Sequence, residues 1–312
     1  MSLRLLAEEA DEGLRLDRFL AVRLPDSSRA TLQRWITEGR VLLGGVAAPK
    51  SVRIATGDEV VVDVPDAVGA SDILPEEIPL DVAYEDDDLL VVSKPAGMPS
   101  HTGPGHPTGT LVNALVARHP EILRAGSPRR PGIVHRLDAG TSGLLAVALT
   151  PRAYSALSKM VAAHALRRTY WALLHGRLEQ TEGMIEAPIG RDAENRLKFT
   201  LRSDGKEART RFTVLARGTR ATEIEARLET GPTHQIRVHF LSVGHPVLGD
   251  PVYAKGLWVP LGPDGVPLLA RQALHARRLS FRHPFKDEDV DVTSALPADL
   301  AATRGAVLGA GA

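Results

Sequence analysis

Fifteen residues, 65–79, hold three prolines, four acids and no periodic apolar pattern. Proline lacks an amide donor and has a fixed φ, so neither a helix interior nor a central strand can run through them. The stretch reads as a linker. It splits the chain into two units, each of which must bury its own core. The expected domains are residues 14–64, the acidic linker 65–79, residues 80–297, and a flexible tail over 298–312.

Within the first unit, LRLDRFLAVRL and SSRATLQRWITEGR have helical apolar spacing, with Ser27 or Ser28 placed to cap the second helix. VLLGGVA and GDEVVVDV read as short strands with glycine turns. In the second unit the strand-like runs DLLVVSK, GLLAVALT, TYWALLHG, RTRFTVLAR and TEIEARLET alternate with a few helical stretches. One of these, PRAYSALSKMVAAHAL, opens on a proline suited to a first helical turn. AATRGAVLGAGA at the end reads as frayed.

Charge sharpens the division. The chain of 312 residues balances 38 Lys and Arg against 38 Asp and Glu. Residues 54–93 carry twelve of the acids and no Lys or Arg, so the remainder holds 38 bases against 26 acids. Eight bases fall early, including Arg29 and Arg34; a solvated helix face and an RNA-facing surface are both open readings of them.

The hydrophobic fraction of 43% fits a globular protein. No run approaches the roughly 18 apolar residues of a membrane span, and the N-terminus lacks a signal-peptide core. Without cysteine there is no disulfide framework, thiolate nucleophile or Cys-ligated zinc. A cytoplasmic monomer is the expectation. GxxxxGK[ST] and HExxH are absent, and His234 and His239 are five apart, the wrong spacing for one helical face. GPGHPTGT, residues 103–110, reads as a loop.

Two segments concentrate chemistry. GIVHRLDAGTSGLLAVALT, residues 132–150, puts His135, Arg136, Asp138, Thr141 and Ser142 in a turn-rich stretch before an apolar strand. A carboxylate beside a cation on a loop anchored by rigid structure is a usual place for catalysis; a structural turn aspartate is the other reading. In LETGPTHQIRVHFLSVGHPVLGDPVY, residues 228–253, a strand is expected to end at Gly231. A short helix follows, with His234, Gln235, Arg237 and His239, and Thr233 is placed to cap it.

Together, HRLDAGTSGLL and TGPTHQIRVHFLSVGHPVLGDPVY closely resemble motifs of the RluA/RluD-type RNA pseudouridine synthases. VVSKPAGMPSH, RRTYWALLHG and RQALHARRLSFRHP resemble further motifs of that family, in the same order, and residues 14–64 resemble the S-four RNA-binding module. The resemblance implies an α+β protein: a small α/β RNA-binding domain, then a catalytic domain with a bent, mostly antiparallel sheet and flanking helices. It implies an isomerase that converts uridine to pseudouridine in structured RNA by base flipping, without cofactor or metal. Asp138 is then the catalytic carboxylate, Arg237 its salt-bridge partner, and Tyr170 the residue that stacks on the flipped base. Arg136 enters the RNA stack. His135 and Thr141 become scaffold or phosphate contacts, Lys94 a further RNA-backbone contact, and Arg29 and Arg34 part of the RNA surface. Large-subunit ribosomal RNA is the first candidate substrate and transfer RNA the second.

Four positions depart from the family pattern: Ser93 in place of Asn, Arg168 in place of Lys, Gly44 where Asn-Gly is common, and Pro232 in place of a basic residue. Pro232 removes a cation and a backbone donor beside the site. It leaves room for a non-catalytic RNA-binding factor on the same fold. An unrelated hydrolase using an Asp–His pair lacks a nucleophile elbow.

Overall fold

Val60 and Val62 are buried while Glu59 and Asp63 on either side are exposed, the period of a half-buried strand. That strand, Glu59–Asp63, lies inside a four-stranded antiparallel sheet between Ser2–Leu6 and Val41–Leu43, with Val46–Ala47 outermost. Helix Leu16–Arg23 buries Leu16, Phe19 and Leu20, and helix Arg29–Thr37 buries Leu32, Trp35 and Ile36. Both trios are at i, i+3 and i+4, so each helix presents one apolar stripe to the sheet valines. Gly44 and Gly45 turn the hairpin between Val41–Leu43 and Val46–Ala47 at φ +56° and +81°, the left-handed pair that a tight hairpin needs. Strand Ser2–Leu6 extends this unit upstream of residue 14, where the sequence pattern begins it.

The computed structural model describes residues 2–24, 27, 29–64, 73–103, 105–195 and 198–309, without the side chains of 29–31. Ser28, one of the two expected caps, and residues 65–72 of the linker lie outside the described residues.

Among the described residues, nine strands form the second sheet. Its order is Glu182–Glu186, Arg209–Arg217, Ala221–Leu228, Arg167–His175, Leu274–Arg282, Ser142–Ala148, Leu89–Lys94 and Asp81–Glu85, and Asp289–Thr293 also pairs with Leu274–Arg282. All pairings are antiparallel except one. Ser142 and Gly143 run parallel to His275 and Ala276, joining two antiparallel halves by a short seam. A Cβ on Gly143, at φ +110°, would sit 2.3 Å from the Ala276 carbonyl oxygen, so glycine is what lets the halves meet.

Strands Leu89–Lys94 and Ser142–Ala148 are apolar on both faces because both are covered. Leu90, Val92, Leu145 and Val147 pack in one core with helix Leu111–Arg118. Leu89, Val91, Leu144 and Ala146 pack in another with helix Pro151–Ala162, which Thr150 caps by accepting from the Ala153 amide.

Three local expectations are corrected. Residues 298–308 form a helix, Ala298–Leu308, with Leu300 and Thr303 buried, because the apolar side chains of the tail recur at helical spacing against the sheet. Strand Ala221–Leu228 ends before Gly231. Helix Gln235–Ser242 is preceded by His234 in a left-handed conformation, and no side chain, Thr233 included, caps it.

Several of the described acids of 54–93 are engaged within the protein. Asp88 receives both Nε and Nη2 of Arg152, Asp86 pairs with Lys286, Glu85 with Arg118 and Asp63 with Arg40. Among the described residues, no helix is long and apolar enough to cross a membrane.

Candidate active site

The loop after His135 carries Asp138 to a cleft over Ala221–Leu228, Arg167–His175 and Leu274–Arg282, in the middle of the large sheet. Asp138, Arg136, Tyr170, His234 and Arg237 all line it. Residues from three distant parts of the sequence thus meet in one place.

Arg237 fixes the carboxylate. Its Nη1 donates to Asp138 Oδ2 at 2.9 Å. Its Nε and Nη2 donate to Asp250 at 2.6 and 2.8 Å. Burial works against the charge of this guanidinium, but hydrogen bonding to Asp250 and the two nearby carboxylates outweigh it and raise its pKa further. Asp250 is itself fixed, accepting the amides of Val252 and Tyr253.

His234 stands on the other side of Asp138, its Nε2 3.8 Å from Oδ2. The Phe199 amide donates to the Tyr253 hydroxyl, and the same hydroxyl lies 2.8 Å from His234 Nδ1, holding the ring in place. Burial lowers the His234 pKa, favouring the neutral ring, and Asp138 opposes the shift. The φ of +60° at His234 is a strained backbone for a residue with a Cβ.

Tyr170 is buried in the cleft wall, and burial raises its phenol pKa. The register with Leu274–Arg282 shifts between Thr169 and Tyr170, an irregularity of the kind that re-aims side chains beside active sites. Arg136 is exposed beside Asp138 and has no ion-pair partner among the described residues.

Three residues expected as scaffold or RNA contacts, Lys94, His135 and Thr141, are turned inward. The ammonium of Lys94, 1% exposed, donates to the carbonyls of Pro95, Met98 and Ala139 at 2.7, 2.8 and 3.2 Å. It braces the Asp138 loop rather than meeting a phosphate. Burial, partly opposed by Asp138, lowers its pKa to about 7. His135 is buried, and its Nε2 accepts from the Ala146 amide. The Thr141 hydroxyl accepts from Gln272. On the N-terminal unit, Arg34 is exposed and 3.8 Å from Glu38; the Arg29 side chain lies outside the described residues.

Sequence reasoning missed Asp250 as a support of this cleft, and singled out His234 and Arg168 without giving either a role in it. Asp250 had one legible signal, an aspartate before proline in GDPVY. The left-handed turn that aims His234 at Asp138 had none.

Comparison with known proteins agrees with this geometry. Residues 88–242 match the family model described as RNA pseudouridylate synthase, and residues 14–60 match the S4 domain. The chain is 44% identical over 295 residues to an uncharacterized RNA pseudouridine synthase of Bacillus subtilis (strain 168), covering 95% of this chain and 94% of that one. It is 42% identical to ribosomal large subunit pseudouridine synthase D of Nitrosomonas europaea, over 95% of this chain and 85% of that one. Among solved structures, human RNA pseudouridylate synthase domain containing 1 matches with a TM-score of 0.55 and 28% identity, over 71% of this chain and 85% of that one. The chain belongs to the RNA pseudouridylate synthase family. It is an RNA pseudouridine synthase, an isomerase, with an N-terminal S4 RNA-binding domain.

Proposed function

We propose that the enzyme isomerises specific uridines of large-subunit ribosomal RNA, with Asp138 as the catalytic carboxylate and without a cofactor. The observation that carries this reading is the Asp138–Arg237 ion pair, 2.9 Å long, in the same cleft as Tyr170. The reaction breaks the bond from the sugar to a ring nitrogen, turns the uracil, and rejoins it through a ring carbon. No atom is gained or lost. A charged, positioned carboxylate beside the ribose serves either attack on the sugar carbon or a glycal-type elimination.

Reaching the base requires extruding it from its stack, at a cost of roughly a few kcal/mol. Arg136 is the planar cation that takes the vacated space, and Tyr170 offers its ring to the flipped base, a contact worth roughly 1–3 kcal/mol. The first unit, residues 14–64, holds RNA while residues 80–297 carry the chemistry. The ribosomal substrate follows from relatives whose names specify the large ribosomal subunit.

Site-resolved mapping of pseudouridine, with and without the gene, tests the reading. At least one large-subunit site disappears on deletion and returns with the wild type but not with Asp138→Asn, which still binds RNA. If no site disappears and the purified protein modifies no ribosomal RNA, the reading is wrong.

A further inference from the structure

The strand that carries Tyr170 also carries a buried cation with little to hold. Arg168 is 7% exposed, yet among the described residues it has no carboxylate partner. Its one hydrogen bond runs from Nη2 to the Thr230 carbonyl at 3.3 Å, and its Nε is buried without an acceptor. A buried, unpaired guanidinium is costly, so its persistence calls for an anion from outside the fold.

Arg168 lines the Asp138 cleft and also a neighbouring groove. The groove is walled by Arg167, Arg211, Arg227 and Arg278, and the one acid among its lining residues is Glu229. The strand register explains the concentration. Arg211 lies directly opposite Arg227, Arg227 opposite Thr169, and Thr169 opposite Arg278. Three guanidinium-bearing residues therefore occupy one row across four adjacent strands, a span of roughly 14 Å at the usual strand spacing.

Like charges placed directly opposite weaken a sheet. Here each is paired with an acid at the surface. Glu229 is 3.2 Å from Arg211, Glu225 is 2.8 Å from Arg227, and Asp291 is 2.7 Å from Arg278 Nε. Exposed pairs of this kind contribute little and exchange readily for a competing anion. Arg167 has no ion-pair partner among the described residues.

We propose that this groove is a phosphate-binding track for the RNA strand flanking the target uridine, with Arg168 as the wall shared between the track and the base pocket. The row of Arg211, Arg227 and Arg278 is long enough to meet several backbone phosphates. This inference rests on the substrate reading above.

The test uses the full chain and a transcript of large-subunit ribosomal RNA. Arg211→Gln/Arg227→Gln and, separately, Arg278→Gln are compared with the wild type for uridine conversion and for binding as a function of salt. These side chains are exposed, and unchanged melting confirms that the fold is intact. The double variant is expected to raise KM and Kd at least 5-fold with kcat within 2-fold of wild type. Its log–log salt slope should fall by about 1.4–1.8, from roughly 0.7–0.9 for each phosphate no longer neutralised. Arg278→Gln should lower the slope by about half as much. Wild-type KM and slope in all variants overturn the track, as does a loss confined to kcat. If the wild type converts no uridine, the substrate reading fails, and the salt slopes still decide the groove.

Discussion

Asp250 grips Arg237 with both carboxylate oxygens, at 2.6 and 2.8 Å, and leaves Nη1 as the guanidinium donor that reaches Asp138. A two-point grip fixes the plane of a guanidinium, whereas a single bond lets it turn. Asp250 therefore aims the cation that aims the carboxylate, although it does not line the cleft itself.

Asp250→Asn should lower kcat by about 10²-fold, the scale of a 1 Å misplacement. KM for RNA should stay within about 2-fold, since Asp250 is buried and does not line the cleft. Loss of one buried partner should also cost about 3–5 kcal/mol of stability, read from denaturant unfolding. A variant that loses affinity while keeping kcat would contradict this positioning role.

Gly143→Ala should fail more severely than an ordinary strand substitution. Its Cβ would lie 2.3 Å from backbone that cannot swing aside, so the parallel seam must open. The expected outcome is insoluble or strongly destabilised protein, while Gly244→Ala, which also has a positive φ, +82°, but open space around it, should cost only about 1–2 kcal/mol. Expression and thermal melting of the pair distinguish the two cases.

Acid should destabilise the fold from about pH 6.5 downward. Burial lowers the pKa of His135 to about 3 and of His275 to about 4. Between pH 6.5 and those values the unfolded chain binds protons that the folded chain does not, so stability falls as pH falls. His275→Gln should flatten the slope of unfolding free energy between pH 6.5 and 4, measured by urea melts.

Much of this was legible in the sequence. Leu16, Phe19 and Leu20, like Leu32, Trp35 and Ile36, announce their helices by spacing alone, and VVSK and GLLAVA read as buried strands. The motif order also gave the company of Asp138, Tyr170 and Arg237. The orientation of buried polar groups was not legible. Lys94 looks the same on paper whether it faces a phosphate or three carbonyls, because that depends on how the 95–98 and 138–140 loops close over it. The tail misled because a short apolar stretch is helical only where a surface waits for it.

That surface makes the tail testable. Ending the chain at Pro297 removes Leu300, fully buried, and the Arg304 pair with Glu223, which also receives the Trp171 indole at 2.6 Å. The loss should be about 2–4 kcal/mol, from one buried leucine and its neighbours, seen as a lower denaturant midpoint with Asp138 chemistry retained at low temperature.

The ion pair at the centre of the site joins residues 99 positions apart and is completed by Asp250 further on. A ribosome making this chain therefore emits the S4 unit first and Asp138 next, well before the arginine that pairs with it. During that interval Asp138 has no Arg237 to pair with. Long-range closure thus fixes an order of assembly: the Asp138–Arg237–Asp250 chain of ion pairs closes only once residues up to 250 have been made.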